Sequence, residues 1–192
     1  MGLIAKSLKP SSPKTTELII YISSKLKDKP NFGSTLLGKA LCLIDSVSYL
    51  KTGNPITDLS YIKQEFGPTP NPTKFLPIRD SLVTSGELEK IDVQYCGFVQ
   101  NKFIAKREPK IDIFSNDEIY LIDDVLISIC DHNATEISNY THTFLAWIFA
   151  NHKEELPFYS FLLTSIDPDI KDYKWAQKSI KEYESSIKNA SE

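Results

Sequence analysis

At 192 residues, 41% hydrophobic and 24% charged, the chain has the length and composition of one compact globular domain, which excludes disorder and fibrous repeats. A formal net charge of −3 offers no basic field to gather phosphate, so a dedicated nucleic-acid binder is not favoured. No apolar run nears the roughly 20 residues that span a bilayer, and the N-terminal MGLIAKSLKPSSPK carries too short an apolar stretch for a secretory signal. The acylation pattern also fails, because Lys6 stands where Ser or Thr is required.

The first 13 residues read as a loose leader. TTELIIYISSKL then sets Leu18, Ile19, Ile22 and Leu26 at helical spacing. DKPNFGS breaks this helix, and GSTLLGKALCLIDSVSYLKTG begins a longer one whose apolar stripe covers more than half its girth, which places it centrally. Gly53 supplies its C-terminal stop. GNPITDLSYIKQEFGPTP, residues 53–70, follows as an irregular connection rigid with glycine and proline, yet it holds Ile56, Tyr61, Ile62 and Phe66, which call for burial.

PTKFLPIRDSLVTSGEL reads as a helix with Pro77 in its first turn or at a kink, ending at Gly86. Alternation through Ile91, Val93 and Tyr95, a turn at Cys96 and Gly97, and resumption at Val99, Phe103 and Ile104 predict an antiparallel hairpin. PKIDIF is an extended lead into a helix capped at Ser115, with Asp117 and Glu118 in the favourable first turn. A further helix is predicted from about Thr135 to His152, and a short element from Pro157. The fold expected is mostly α with a small antiparallel β hairpin: a single domain over residues 14–168, with an amphipathic helix over 169–192 docked on it or extending from it.

The residues name no reaction. Cys42, Cys96 and Cys130 are scattered and odd in number, so each reads as a small buried hydrophobe in a reducing cytoplasm, where the sequons at Asn133 and Asn139 carry no meaning. His132, His142 and His152 recur at ten-residue intervals. On one helix that step advances about 15 Å and turns about 80° off the face, so they cannot share a metal along it. Ser138 and His142 could share a helical face, but no strained G-x-S-x-G turn presents a nucleophile. Asp123 and Asp124 diverge by about 100° on a helix and read as solvated. GxGxxG and GxxxxGK[ST] are absent. No cofactor or metal is expected.

Tyr49-Leu-Lys-Thr-Gly53-Asn-Pro55-Ile56-Thr57, followed by Tyr61 and by Phe66-Gly67-Pro68-Thr-Pro70, resembles the Panacea domain family, also known as SocA-like antitoxin domains or phage-associated GepA-like proteins. FSNDEIYLIDDVL is similar to that family's F-S-x-x-E-x-x-x-I-D-x-V helix. ISNYTHTFLAWIFA is similar to its L-S-x-x-x-H-x-x-x-A-W helix, through Ile137, Ser138, His142, Ala146 and Trp147. The matches run in family order from about residue 33 to 166. Phe66 departs from the commoner tyrosine, and CLIDSV from the aromatic-rich Y-F-A-D.

The resemblance implies a cytoplasmic, non-enzymatic antitoxin that neutralises a cognate protein toxin, encoded by an adjacent gene, by direct binding. An alternative it implies is a proteolytic adaptor that delivers the toxin to a AAA+ protease. An enzyme or small-ligand binder around Ser138, His142 and Trp147 is a further alternative. Motif or partner-binding candidates are Tyr49, Gly53, Pro55, Ile56, Thr57, Tyr61, Phe66, Gly67, Pro68, Pro70, His142 and Trp147. The bland reading of the same residues gives the glycines and prolines to turn geometry, and Tyr61, Phe66 and Trp147 to the core.

Overall fold

Helix formation at the N-terminal end starts on a proline. Pro13 occupies the first position of α1 (Pro13–Lys25), where its missing N–H is no loss, and the helix then buries Leu18, Ile19, Ile20 and Ile22 completely. The computed structural model describes residues 12–162 together with Lys178. Apart from Lys178, the expected helix over 169–192 lies outside the described residues, as do all but the last two residues of the expected leader.

Helix α2 (Ser34–Thr52) is central, packing against α1 and against the later helices α4 (Asn116–Ile129) and α5 (Ala134–Thr141). Leu36, Leu37, Ala40, Leu41 and Ile44 are all fully buried, as its apolar girth requires. It stops where the sequence stops it: Gly53 adopts φ 77° and donates its N–H to the Tyr49 carbonyl at 2.8 Å.

The predicted irregular connection after it is corrected. Residues 61–70 form a hairpin of β1 (Tyr61–Gln64) and β2 (Gly67–Pro70), with Tyr61 opposite Pro70 and Gln64 opposite Gly67. A third, two-residue strand (Glu155–Leu156, β5 below) pairs antiparallel with the other edge of β1. This second sheet has the order β2-β1-β5, so strand content exceeds the single predicted hairpin. Prolines 68 and 70 are compatible with it because β2 is an edge strand and owes no N–H to an outer neighbour.

Helix α3 (Pro72–Thr84) is capped by Asn71, whose side chain accepts from Thr73 N at 3.1 Å. Pro77 lies inside it, past the first turn. Pro77 and Thr73 are both exposed, so water can serve the carbonyl that the proline leaves without a donor. The predicted hairpin is present as β3 (Leu88–Tyr95) and β4 (Phe98–Ala105). Its two-residue turn puts Cys96 at φ 49° and Gly97 at φ 84°, the left-handed pair that matches strand twist. Cys96 is therefore exposed at the hairpin tip rather than buried; Cys42 is buried and Cys130 half-buried.

A 3-10 turn at Ile111–Ile113 leads into α4 (Asn116–Ile129), which opens with a full capping box between Ser115 and Glu118. Asp123 is not merely solvated: it accepts from Tyr21 Oη at 2.8 Å and pairs with Lys25. The single helix predicted over 135–152 is two, α5 (Ala134–Thr141) and α6 (Leu145–Phe149). Thr141 and Thr143 turn their hydroxyls back onto the carbonyls of Ser138 and Tyr140, and Phe144 leaves helical backbone at ψ 122° to pack edge-on against Phe161. Strand β5 and a 3-10 turn at Phe158–Leu162 complete the described chain.

Buried side chains of α1, α2, α3, α4, α5 and the hairpin base join one apolar cluster. Glu17, one of several buried ionisable residues, is bound bidentately by Arg107 at 2.7 Å. Burial alone would push the Glu17 carboxyl up, but Arg107 and the Lys110 N–H outweigh it and hold it below the ordinary range. No helix among the described residues is long and apolar enough to cross a membrane.

Candidate functional site

The polar stripe of α2 organises the site. Lys39, Cys42, Ser46 and Tyr49 recur every three or four residues, and Lys39, Asp45, Ser46 and Ser48 are all buried. Asp45, fully buried, accepts from Ile56 N and Thr57 N at 2.9 Å each, from Thr57 Oγ1, and from Tyr61 Oη at 2.7 Å. One carboxylate thus satisfies four donors of the segment that follows α2. Burial pushes its pKa up, and the donors from Thr57, Tyr61 and Ile56 pull it back.

This network accounts for most of the first motif. Ile56, Thr57 and Tyr61 are buried and the N–H groups of Ile56 and Thr57 close over Asp45, so this part of the motif is not an exposed contact surface. Tyr49, half-buried, stacks on Phe158 at 5.5 Å, and Phe158 meets Tyr61 edge-on at 5.8 Å. Gly53 serves the end of α2.

Lys39 fixes the second motif. Its ammonium, on a residue only 2% exposed, donates to the Pro68 carbonyl at 2.9 Å. Burial lowers its pKa to about 8. Gly67 sits directly over it at φ 95°, and a Cβ there would run into Lys39 Nζ and Thr141 Oγ1. Gly53, also left-handed, has open space around it. Gly67→Ala is therefore expected to lower stability by about 2–4 kcal/mol, and Gly53→Ala by about 1 kcal/mol, in urea titrations run side by side. Equal losses would mean that only backbone conformation matters at Gly67.

The family histidine and tryptophan form one unit. The His142 ring stacks on Trp147 at 4.0 Å with 15° between planes. Trp147 Nε1 donates to the Gln64 carbonyl at 2.9 Å, and Lys63 Nζ lies 4.5 Å from the Trp147 ring while donating to the carbonyls of Ile148 and Ala150. Strand β1 and helix α6 are thereby clamped together. Burial, Lys39 and Lys63 lower the His142 pKa, against the Glu65 carbonyl. His142 Nε2 is buried with no hydrogen-bond partner among the described residues.

His132 instead faces Glu136 at 3.5 Å and His152 is exposed, so the three histidines do not converge. Ser138 and His142 share a backbone hydrogen bond, and no side-chain bond joins them. Pro68 and Pro70 are buried, and Trp147 is half-buried. Phe66 is the exception to the core reading: at the β1–β2 turn it is 63% exposed. Phe149 and Ile148, beside the Trp147 clamp, are 79% and 46% exposed.

Sequence reasoning passed over Lys39, Asp45 and Lys63. The first two had a signal, a charged residue on each side of Leu41 to Ile44 in an otherwise apolar helix. Lys63 had none.

The family model for the SocA-like antitoxin, Panacea domain, matches residues 37–148, from the start of the α2 stripe to the Trp147 clamp. The chain belongs to the SocA-like antitoxin family. No curated protein and no solved structure matches it. Within the Panacea domain, therefore, most of the motif residues described above serve the fold, and Phe66 is the motif aromatic left exposed.

Proposed function

We propose that this SocA-like chain neutralises a protein toxin by binding it directly, with no covalent chemistry and no cofactor of its own, through the face where the β1–β2 turn meets α6. The observation that carries this is the exposure of Phe66 and Phe149 on segments locked together by the Trp147–Gln64 and Lys63–Ala150 hydrogen bonds. Large aromatics on segments already tied together need little backbone ordering on docking and are the residue types that dominate interface energetics. Membership of an antitoxin family supports a toxin as the partner.

Co-expression with the product of the adjacent reading frame tests this. Growth is expected to be restored, with a complex that persists through size exclusion. Rescue that disappears in cells lacking an AAA+ protease would favour the proteolytic adaptor instead, and absence of both rescue and complex would overturn the reading.

A further inference from the structure

Among the described residues, Lys39 is a buried cation without a counterion. It uses one of its three donors on Pro68, and among the described residues no carboxylate pairs with it; the nearest ionisable neighbour on its own helix is the Cys42 thiol. Around it stand Thr141 and His142 from the end of α5, with Lys63 of β1 acting on His142 in the same positive sense. Glu65, on the β1–β2 turn, is exposed. Burying an ammonium with so little compensation is costly, and the cost falls when an anion arrives.

Lys39 and Pro68 both line a cleft of about 240 Å³ between the first half of α2, the outer edge of β2 and α3. No Asp or Glu lines it. Arg79 does, its charge shared with Asp80 at 2.7 Å, and Ser34 and Thr35 bring the uncapped positive end of α2. Apart from Gln64 and Thr69, the remaining wall is apolar, chiefly Phe66, Pro70, Phe75 and Leu76. A cleft with Lys39 and Arg79 in its lining and apolar side chains beside them fits a carboxylate on a short hydrocarbon stem. Phe66 belongs both to this wall and to the proposed toxin-binding face.

We infer that this cleft receives an acidic side chain of the toxin, a Glu or Asp that pairs with Lys39 while its stem packs against Phe66 and the prolines. This rests on the antitoxin reading above and specifies the chemistry of the partner. A free inorganic anion would not use the apolar wall.

Sodium butyrate, a carboxylate on an apolar stem, is the probe, titrated into the full chain at ionic strength held constant with chloride. Butyramide serves as the uncharged control and inorganic phosphate as the free-anion control. Butyrate is expected to raise the unfolding midpoint and butyramide to leave it unchanged. Because Lys39 must be charged to bind, butyrate affinity in the wild-type chain should fall about tenfold per pH unit above a pH of about 8, a readout that needs no variant. Lys39→Met should abolish the butyrate effect, and with a toxin that the wild type neutralises it should weaken binding at least tenfold. Neutralising one acidic toxin residue should reproduce that loss without adding to it.

The inference is overturned if butyrate acts no differently from chloride, if phosphate is preferred, or if Lys39→Met leaves toxin affinity intact. A wild-type chain that neutralises no toxin overturns the antitoxin reading itself, and with it the toxin as source of the acid, whatever butyrate does.

Discussion

Asp45→Ala is expected to destabilise the fold by about 3–5 kcal/mol, the largest effect of any single side-chain truncation in the site. The substitution strands the N–H groups of Ile56 and Thr57 and the hydroxyls of Thr57 and Tyr61 in a region closed to water. Each stranded donor forfeits solvation that the folded chain does not return, at about 1–3 kcal/mol apiece before relaxation. Tyr61→Phe and Thr57→Val remove donors and leave Asp45 its other partners, so each should cost less, about 1–2 kcal/mol. Urea denaturation measures this as a lower midpoint at unchanged slope. A loss below about 1 kcal/mol for Asp45→Ala would mean that water enters the network and that Asp45 does not organise the segment.

Phe149→Asp and Phe66→Asp should do the opposite: leave stability within about 0.5 kcal/mol of wild type and weaken the toxin complex by more than about 2 kcal/mol, or 30-fold. Both rings are mostly in solvent, so little burial is lost in the free protein. In a complex each would set an unpaired carboxylate into a desolvated contact. Phe66→Asp carries the heavier penalty if an acidic toxin residue enters the adjoining cleft, since two carboxylates would then meet there. Titration calorimetry with the purified toxin, alongside growth rescue, reads both effects. Unchanged affinity for both variants would move the interface away from this face. The tip of the β3–β4 hairpin, where Phe98 is 77% exposed, would then be the next surface to test.

Much of the helical frame was legible from sequence because its signals are local. Periodic apolar residues placed α1, α2 and α4, the Ser115 cap opened α4, and Gly53 closed α2. The long hairpin was legible because eight-residue strands display alternation, and Cys96-Gly97 marks the turn between them. The second sheet was not. Strands of four and two residues are too short for a period, and β2 reads Gly-Pro-Thr-Pro, a composition typical of loops. The single helix expected over 135–152 concealed a break, since Leu145, Ala146 and Trp147 continue the helical pattern while Phe144 is drawn into contact with Phe161.

The motif tells the same story at the level of single residues. Sequence alone determined the family, through an ordered set of short words whose Gly and Pro residues impose backbone angles wherever they fall. Only the tertiary structure decided what each word does. Thr57 and Tyr61 turn inward because Asp45, from the preceding helix, is buried beneath them, and Gly67 is glycine because Lys39 and Thr141 leave no room for a Cβ. Trp147 clamps a strand 83 residues earlier. Phe66 is left outside as the hairpin turns. Local propensities are written in neighbouring residues. Burial of a charge, and the partner that relieves it, depends on segments that meet only when the chain has folded.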